Sequence, residues 1–187
     1  EIVVTSARKR DEALLDVPVA VNVFTAEEVQ SAGILRPQDF IALTPNMTMV
    51  QTQNQGTSFI VVRGISQARN SEPSVAVLID GVQMANPSQF NQELFDIDTI
   101  QVLKGPQGAL YGRNAIGGAI IINTKRPTDV FQGNVTLGGD SGPGINVRGG
   151  MSGPISDTLK FIASASYFDT KGYIRNVHLN EDANPFR

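Results

Sequence analysis

The stretch from Lys104 to Ile122 reads KGPQGALYGRNAIGGAIII, and it places five glycines directly before an uninterrupted apolar run. Glycine lets a backbone turn tightly or approach a neighbouring chain closely, because it carries no Cβ. The β-branched run that follows, from Ala119 to Thr124, is typical of a buried strand. We therefore expect a glycine-rich loop that packs closely and leads straight into a strand.

A phosphate-binding loop is the main alternative for such a stretch, and its pattern is not met. Gly112 and Gly117 have the spacing of the Gly-x-x-x-x-Gly-Lys-Ser/Thr motif, but Gly118 and Ala119 occupy the positions of the lysine and the hydroxyl residue. The Gly-x-Gly-x-x-Gly pattern of dinucleotide-binding loops is also missing, and a strand rather than a helix follows. The sequence therefore argues against a nucleotide site.

The composition excludes several further classes of function. The 187 residues carry a net charge of −3, so no electrostatic argument supports binding to nucleic acid. The chain has no cysteine and a single histidine, His178, which removes disulfides, thiol chemistry and Cys/His zinc sites. We expect no metal, no cofactor and no enzymatic activity, because no paired carboxylates, base or nucleophile constellation is evident. No segment approaches the roughly 20 apolar residues that a membrane-spanning helix requires.

Up to about Pro127 the pattern predicts a compact α+β domain. Thr25 and Glu28 have the spacing of a capping box, and Gly33 supplies a stop, so residues 26–32 are predicted to be a short helix. Pro37 suits the first turn of a second helix that ends before Pro45. The predicted strands are Val17–Phe24, Phe59–Arg63, Val75–Asp80, Thr99–Leu103 and Ala119–Thr124.

After Pro127 the pattern changes to strands joined by turns. The segments are Phe131–Gly139, Ile145–Met151 and Leu159–Phe168, and in the third of them apolar residues alternate with mostly small or polar ones. Such alternation fits the wall of a membrane β-barrel. Periodicity alone favours the alternative, a half-buried antiparallel sheet in a soluble sandwich, because alternation does not distinguish lipid from a protein core.

The longer stretch from Val102 to Lys125 resembles the signature of the plug domain of TonB-dependent outer-membrane transporters. Phe59–Gly64 (FIVVRG) resembles the second plug motif of that family, Val77–Val82 (VLIDGV) its third, and Asp39–Asn46 (DFIALTPN) its plug helix. These motifs occur in the family's order. The residues that carry them include Gly64, Asp80, Gly81, Gly105, Pro106, Tyr111, Gly112, Gly117 and Gly118.

The resemblance implies an α+β plug domain, a small mixed sheet with short helices, followed by the first antiparallel strands of a large transmembrane β-barrel. The implied domains are a TonB-box-like segment at residues 1–7, the plug at 8–127 and barrel strands at 128–187. A barrel wall needs more than about 200 residues, so we expect the chain to be the N-terminal part of a longer transporter.

The first seven residues, Glu1, Ile2, Val3, Val4, Thr5, Ser6 and Ala7, are similar to the TonB box, which the energy-coupling protein TonB grasps. An extended β-branched segment suits the addition of a strand to a partner's sheet, where main-chain hydrogen bonds provide the affinity. The alternative is that Ile2–Thr5 is simply the first strand of the plug.

Two cations match positions that pair with glutamates of the barrel wall in the family, namely Arg63 and Lys104. The family more often has arginine at the position of Lys104 and glutamate at that of Gln101, so the ion-pair network is expected to be weaker or wired differently here. Ordinary surface charge is the alternative for both cations.

Ligand contacts in this family come from plug loops that face the outside, here 66–72 and 83–92. Arg69 is a candidate contact for an anionic ligand, and Phe90 for stacking on a ring. The other candidates are Asn70, Gln83 and Asn86, and solvated loop residues are the alternative for every one of them.

The implied function is TonB-dependent active transport of a scarce ligand across the outer membrane of a Gram-negative bacterium. A ferric siderophore or similar metal chelate is the default ligand, and the expected partners are TonB, this ligand and outer-membrane lipid, with no nucleic acid. The alternatives are a ligand-sensing signal transducer of the same fold, a soluble α+β binding module and, least favoured, a nucleotide-dependent enzyme.

Overall fold

The computed structural model describes residues 3–4, 12–13, 19–52, 57–68, 71–86, 90–139, 144–170, 174–176 and 181–183. The chain divides into two compact units, Glu1–Lys125 and Arg126–Arg187. In the first unit the helices are α1 (Ala26–Ser31), α2 (Pro37–Leu43) and α3 (Gly108–Tyr111). Its strands are β1 (Val3–Val4), β2 (Glu12–Ala13), β3 (Ala20–Thr25), β4 (Met47–Gln51), β5 (Ser58–Val62), β6 (Val75–Ile79), β7 (Val82–Gln83), β8 (Ile97–Lys104) and β9 (Gly118–Thr124).

A five-stranded mixed sheet of order β3-β8-β9-β6-β7 forms the centre of the first unit. The pair β6–β9 is parallel, and all other neighbours in this sheet are antiparallel. Residues 118–122 of β9 are all buried, because β9 is flanked by strands on both edges and covered on both faces. The prediction of a buried strand directly after the glycine-rich loop is thereby confirmed.

The buried side chains of this sheet fall into two apolar clusters. Ile120 and Ile122 belong to one cluster and Ile121 to the other, as expected for successive residues of a strand that point to opposite faces. The first cluster also contains Phe40 and Ile41 of α2 together with apolar residues of the two-stranded sheet β4–β5. The second contains Tyr111 and Leu103, so the glycine-rich loop covers the opposite face.

The helices α1 and α2 begin where local sequence signals predict. The backbone N–H of Thr25 donates to Glu28 Oε2 at 2.8 Å, and the Glu28 N–H donates to Thr25 Oγ1 at 3.3 Å, which is the predicted capping box of α1. Pro37 is the first residue of α2, and Asp39 Oδ2 accepts the N–H groups of Leu35 and Arg36 at 2.8 Å each. The carboxylate of Asp39 therefore satisfies donors at the start of α2.

The second unit is built on the antiparallel sheet β10 (Gln132–Gly139), β11 (Gly144–Pro154) and β12 (Lys160–Thr170), with a separate short pair β13 (Ile174–Asn176) and β14 (Glu181–Ala183). Its register aligns the predicted apolar positions, since Leu137 lies opposite Val147, and Val147 opposite Tyr167. The three predicted strands are confirmed, and β11 and β12 extend beyond the predicted ends.

Some elements were not anticipated from the sequence. The strand β4 has five residues and the helical turn α3 has four, and segments this short hold too few residues for a clear periodic pattern. The predicted strand Val17–Phe24 is described as a strand from Ala20 onward, where it pairs with β8. No helix in the described part of the chain has both the length and the apolar character needed to cross a membrane.

Candidate functional site

The glycine-rich loop is closed at its base by backbone hydrogen bonds. The N–H of Gly105 donates to the Gly117 carbonyl at 3.0 Å, and the N–H of Gln107 donates to the Ala115 carbonyl at 2.8 Å. At Gly118, where φ is +154°, a Cβ would lie 2.3 Å from the carbonyl oxygen of Leu103. No larger residue fits there, so the glycine serves close contact between β8 and β9, as the sequence predicted.

The helical turn α3 inside this loop presents Tyr111 to the sheet. The Tyr111 side chain is buried in the second apolar cluster, and burial raises the pKa of its phenol above the ordinary value of 10.0. Gly112, with φ of 70°, follows it and ends the turn, while Pro106 at the start of the loop is exposed. Tyr111 and Gly112 therefore act in packing and in chain reversal.

Two motif turns have the same backbone geometry. Arg63 and Gly64 have φ values of 50° and 79°, and Asp80 and Gly81 have values of 49° and 81°. Positive φ at both central residues is the mark of a type I′ turn, which requires glycine or another residue that tolerates the left-handed region. The Val-Arg-Gly and Ile-Asp-Gly motifs are thus two tight hairpin turns.

The side chain of Asp80 ties its turn to the end of β9. Its carboxylate accepts the backbone N–H of Thr124 and the Thr124 hydroxyl, each at 2.8 Å, while the Asp80 N–H donates to the Ile122 carbonyl at 2.9 Å. Asp80 is therefore a structural residue that fastens neighbouring parallel strands at one end.

Arg63 and Lys104, the two predicted ion-pair cations, lie close to each other. Partial burial and the positive charge of Arg63 lower the pKa of Lys104 below its ordinary value. The Lys104 ammonium donates to the Pro45 carbonyl at 3.1 Å, and the Arg63 N–H donates to the Asn46 carbonyl at 2.9 Å. Within the described ranges neither cation forms an ion pair. The fold therefore assembles a local positive charge whose counter-ion is not among these residues.

Gln101, where the resemblance implies glutamate, lies on β8 three residues before Lys104, so the two side chains point to opposite faces of the strand. Its side chain is buried, and its backbone is paired with Val23 of β3 on one edge and with Ile121 of β9 on the other. A neutral amide at this buried position carries no negative charge.

The predicted ligand residues are not gathered into one cluster in the described part of the chain. Gln83 is exposed, and its side-chain N–H donates to the Arg113 carbonyl at 3.3 Å. Asn86 is exposed as well. Arg69 and Asn70 lie outside the described residues.

The structure corrects the interpretation of Phe90 as a ligand-stacking residue. Phe90 is only 2% exposed and belongs to the first apolar cluster, where its ring packs edge-on against Phe40 at a centroid distance of 6.3 Å. A ring enclosed in this way cannot stack on a ligand at the surface. The polar residues around Phe90 in the sequence gave no sign of this burial.

A set of polar contacts beside Phe90 was also missed. The Asn91 amide donates to the Gln38 side-chain carbonyl at 3.4 Å, and Arg36 pairs with Glu93 at 3.8 Å. These partners are separated by more than fifty residues in the chain, and no sequence signal connects them.

At the N-terminus, Val3–Val4 pairs antiparallel with Glu12–Ala13 in a two-stranded sheet of its own. This pair is separate from the five-stranded sheet. The remaining residues of the TonB-box-like segment, Glu1, Ile2, Thr5, Ser6 and Ala7, lie outside the described residues.

One face of the three-stranded sheet in the second unit is apolar and open. Val135, Leu137 and Tyr167 are 73%, 74% and 63% exposed, and they lie on the face shared with Val147 and Met151. The strands β11 and β12 have 11 residues each, which is the length of a tilted strand that crosses a bilayer.

Comparison with known proteins identifies the family. Residues 13–119 match the sequence model of the TonB-dependent Receptor Plug Domain. The pesticin receptor of Yersinia pestis is 30% identical over 161 residues, covering 86% of this chain and 24% of the relative. The ferric enterobactin receptor PirA of Pseudomonas aeruginosa is 26% identical, covering 89% of this chain and 25% of that protein. The chain thus spans about a quarter of the length of these curated relatives.

Solved structures agree with this assignment. The ferric yersiniabactin uptake receptor FyuA from Yersinia pestis aligns with a TM-score of 0.72 at 31% identity, covering 81% of this chain and 24% of that chain. The ferripyoverdine receptor of Pseudomonas aeruginosa shares the fold, with a TM-score of 0.78 at 22% identity, covering 91% of this chain and 23% of that chain. The close-packed glycine loop, the two type I′ turns and the outward apolar strands therefore belong to a TonB-dependent receptor, with a plug domain followed by early strands of the barrel.

Proposed function

We propose that this protein takes up a ferric siderophore or a similar iron chelate across the bacterial outer membrane, driven by TonB, with its plug domain gating the barrel lumen. The observation that carries the proposal is the plug-family match over residues 13–119. The names of its relatives support the ligand class, since they include a ferric enterobactin receptor and a ferric yersiniabactin uptake receptor.

The Arg63–Lys104 pair fits the role of holding the plug in place. Like charges at neighbouring positions repel, so an acidic partner supplied from the barrel wall would relieve the repulsion and retain the plug. Arg63 is exposed, and exposed ion pairs are individually weak because water can replace each bond. A plug held by such bonds is firmly seated at rest and still yields to a pull.

The N-terminal segment fits the role of the TonB contact. Among the described residues, Val3–Val4 pairs with Glu12–Ala13 at two positions, so little of this described pairing is lost when the segment is drawn into a partner's sheet. Addition of a strand depends on main-chain hydrogen bonds and therefore tolerates this β-branched sequence.

The open apolar face of β10–β12 fits contact with outer-membrane lipid. An apolar outward face alternating with a polar inner one is the arrangement of a barrel wall. The opposite face of this sheet carries Asn134, Thr136, Ser164 and Ser166, which suits a hydrated lumen.

The proposal is tested by uptake of radio-iron into cells that depend on the receptor, expressed from its own reading frame. Ferric yersiniabactin, ferric enterobactin and ferrioxamine B are offered in turn. Vitamin B12 labelled with radioactive cobalt is offered separately, as a ligand of a different class. We expect uptake of at least one iron chelate, which stops when TonB is absent. Uptake of vitamin B12 alone, or of none of these compounds, would contradict the ligand class.

Deletion of residues 1–7 separates transport from binding. The deletion variant is expected to bind the chelate with unchanged affinity and to take up none of it, because only the energy coupling is lost. Normal uptake by this variant would remove the assignment of Glu1–Ala7 as the TonB contact.

A further inference from the structure

The segment 90–94 is attached to the start of α2 by a ring contact, hydrogen bonds and an ion pair. This loop has polar residues at Asn86, Asn91 and Gln92, and under the proposed function it faces the ligand. Phe90 is the one aromatic side chain of this loop.

Phe90 provides the apolar part of the attachment. Its ring is 2% exposed and packs edge-on against Phe40, which is fully buried, with an interplanar angle of 66°. Phe40 in turn lies 6.1 Å from the ring of Phe24 on β3. Edge-on ring pairs at these distances add about 0.5–1.5 kcal/mol to the burial of their area. The loop is therefore joined to α2 and, through it, to the edge strand of the main sheet.

The residues that follow Phe90 in the chain make polar contacts. The N–H of Leu94 donates to the Leu35 carbonyl at 2.9 Å, and the guanidinium of Arg36 lies 3.8 Å from the Glu93 carboxylate. The two charged side chains are 22% and 20% exposed, which places this pair between a solvated and a buried one. These contacts engage the two residues that directly precede α2.

A third set of contacts reaches strand β4. The side-chain carbonyl of Gln38 accepts the amide of Asn91 and the amide of Gln51, each at 3.4 Å. Gln51 ends β4, so one residue of α2 is shared between the segment 90–94 and the strand that leads into residues 53–56.

We propose that Phe90 and Glu93 are positioning residues that hold residues 90–92, the described end of this loop, against α2, so that the exposed side chain of Gln92 meets the ligand in a fixed position. This inference rests on the proposed function for the identity of the ligand, and on the contacts alone for the attachment. A loop ordered before binding loses less conformational entropy when the ligand arrives, which raises affinity. Loss of the attachment is therefore expected to weaken ligand binding without changing the transport step.

The attachment is tested first without any ligand. The chain has no cysteine, so Gln92→Cys adds a single labelling position to it for a nitroxide whose mobility is read by electron paramagnetic resonance. Phe90→Ala and Glu93→Gln are expected to increase the mobility of the label. Phe90→Leu, which keeps an apolar side chain of similar reach, is expected to stay close to the unsubstituted loop.

Ile100→Ala is the matched control, because Ile100 is fully buried in the same apolar cluster but lies on β8. It loses buried surface in the same cluster and takes part in none of the ring, hydrogen-bond and ion-pair contacts described above, so label mobility is expected to remain unchanged. Equal mobility in Phe90→Ala and Ile100→Ala would overturn the proposal. If Phe90→Ala fails to fold, an unchanged label in Glu93→Gln overturns it.

Ligand binding is then measured with ferric yersiniabactin as the probe. Phe90→Ala is expected to raise the apparent Kd about tenfold while the maximal uptake rate per folded receptor is unchanged, and Ile100→Ala is expected to leave Kd as it is. An equal Kd in both variants would overturn the functional part. Failure of the unsubstituted receptor to bind or take up any chelate refutes the proposed function instead, and the mobility measurement still decides whether the attachment exists.

Discussion

Gly118 is the position at which the central sheet has no room for a side chain, and Gly118→Ala is expected to loosen the pairing of β8 and β9. The new Cβ would lie 2.3 Å from the Leu103 carbonyl oxygen, and the residue would keep a φ of +154°. Overpacking of this kind costs about 1–3 kcal/mol, and a strained backbone region costs a further 1–3 kcal/mol. We expect a total of about 4 kcal/mol, a large share of the 5–15 kcal/mol that stabilises a typical domain.

Hydrogen exchange with mass spectrometry measures this loss in the intact receptor. Peptides that cover β8 and β9 report the free energy of local opening, and about 4 kcal/mol corresponds to roughly a thousandfold faster exchange. Peptides from the barrel strands are expected to exchange as before, which separates a local effect from general unfolding.

Two other glycines of the same loop provide a graded control. Gly108→Ala adds a Cβ that meets nothing within 4 Å, so exchange is expected to be unchanged or slightly slower. Gly117→Ala brings its Cβ to 3.3 Å from the Ser74 carbonyl oxygen and is expected to fall between the two. If Gly118→Ala exchanged like Gly108→Ala, the close-packing explanation of the glycine motif would be refuted.

Three further predictions concern the motif residues. Asp80→Ala removes both acceptors of Thr124 and is expected to speed exchange at the end of β9 by about fivefold, at about 1 kcal/mol, whereas Asp80→Asn, which keeps one acceptor and tolerates positive φ, is expected to change it less. Arg63→Ala is expected to raise the pKa of Lys104 towards, but not to, 10.5, because burial remains when the repulsion is gone; competitive acetylation across pH would show Lys104 reacting at higher pH in the variant, and identical profiles would contradict this. Burial raises the pKa of the Tyr111 phenol, so the folded state loses stability as pH rises above 10.0, where the phenol of the unfolded chain ionises first. Tyr111→Phe cannot ionise and is expected to slow local opening of the glycine loop at pH 10–11 relative to the unsubstituted receptor, as measured by hydrogen exchange. Equal pH dependence in the two proteins would refute the role of burial.

The lowered pKa of Lys104 also makes the stability of the fold depend on pH, with the opposite sign to Tyr111. Its pKa is lowered in the folded state, so the unfolded chain binds the proton more tightly and folding is penalised below the lowered value. The penalty is relieved as pH rises from that value to 10.5. An acidic partner from the barrel wall would act in the opposite direction, which is why the charge state of this pair bears on how the plug is retained.

The elements that could be predicted are those whose cause lies within a few residues. The capping box of Thr25 and Glu28 spans three residues, and Pro37 sets the first turn of α2 through its own ring. The glycine loop and the alternating strands after Pro127 follow from local backbone freedom and from the two-residue period of a strand. These signals, with the ordered motifs, were enough to identify the fold class.

The position of Phe90 could not be predicted, because its burial depends on a contact fifty residues away. Residues 86–92 are otherwise polar, and a lone phenylalanine there suggests exposure as readily as anchorage. Only the docking of this segment on Phe40 decides between the two. The contacts that Gln38 makes with Asn91 and Gln51 could not be predicted either, because they too join residues that are far apart in the chain.

By itself, the sequence determined where the chain turns, where its helices begin and which faces of its strands are apolar, since each of these depends on neighbours in the chain. The tertiary structure alone decided that β6 lies parallel to β9, that Arg63 comes to lie beside Lys104, and that Phe90 lies inside. The physical reason is that strand pairing, charge proximity and burial are properties of distance in space, and closing a long stretch of chain costs entropy that many residues must jointly offset.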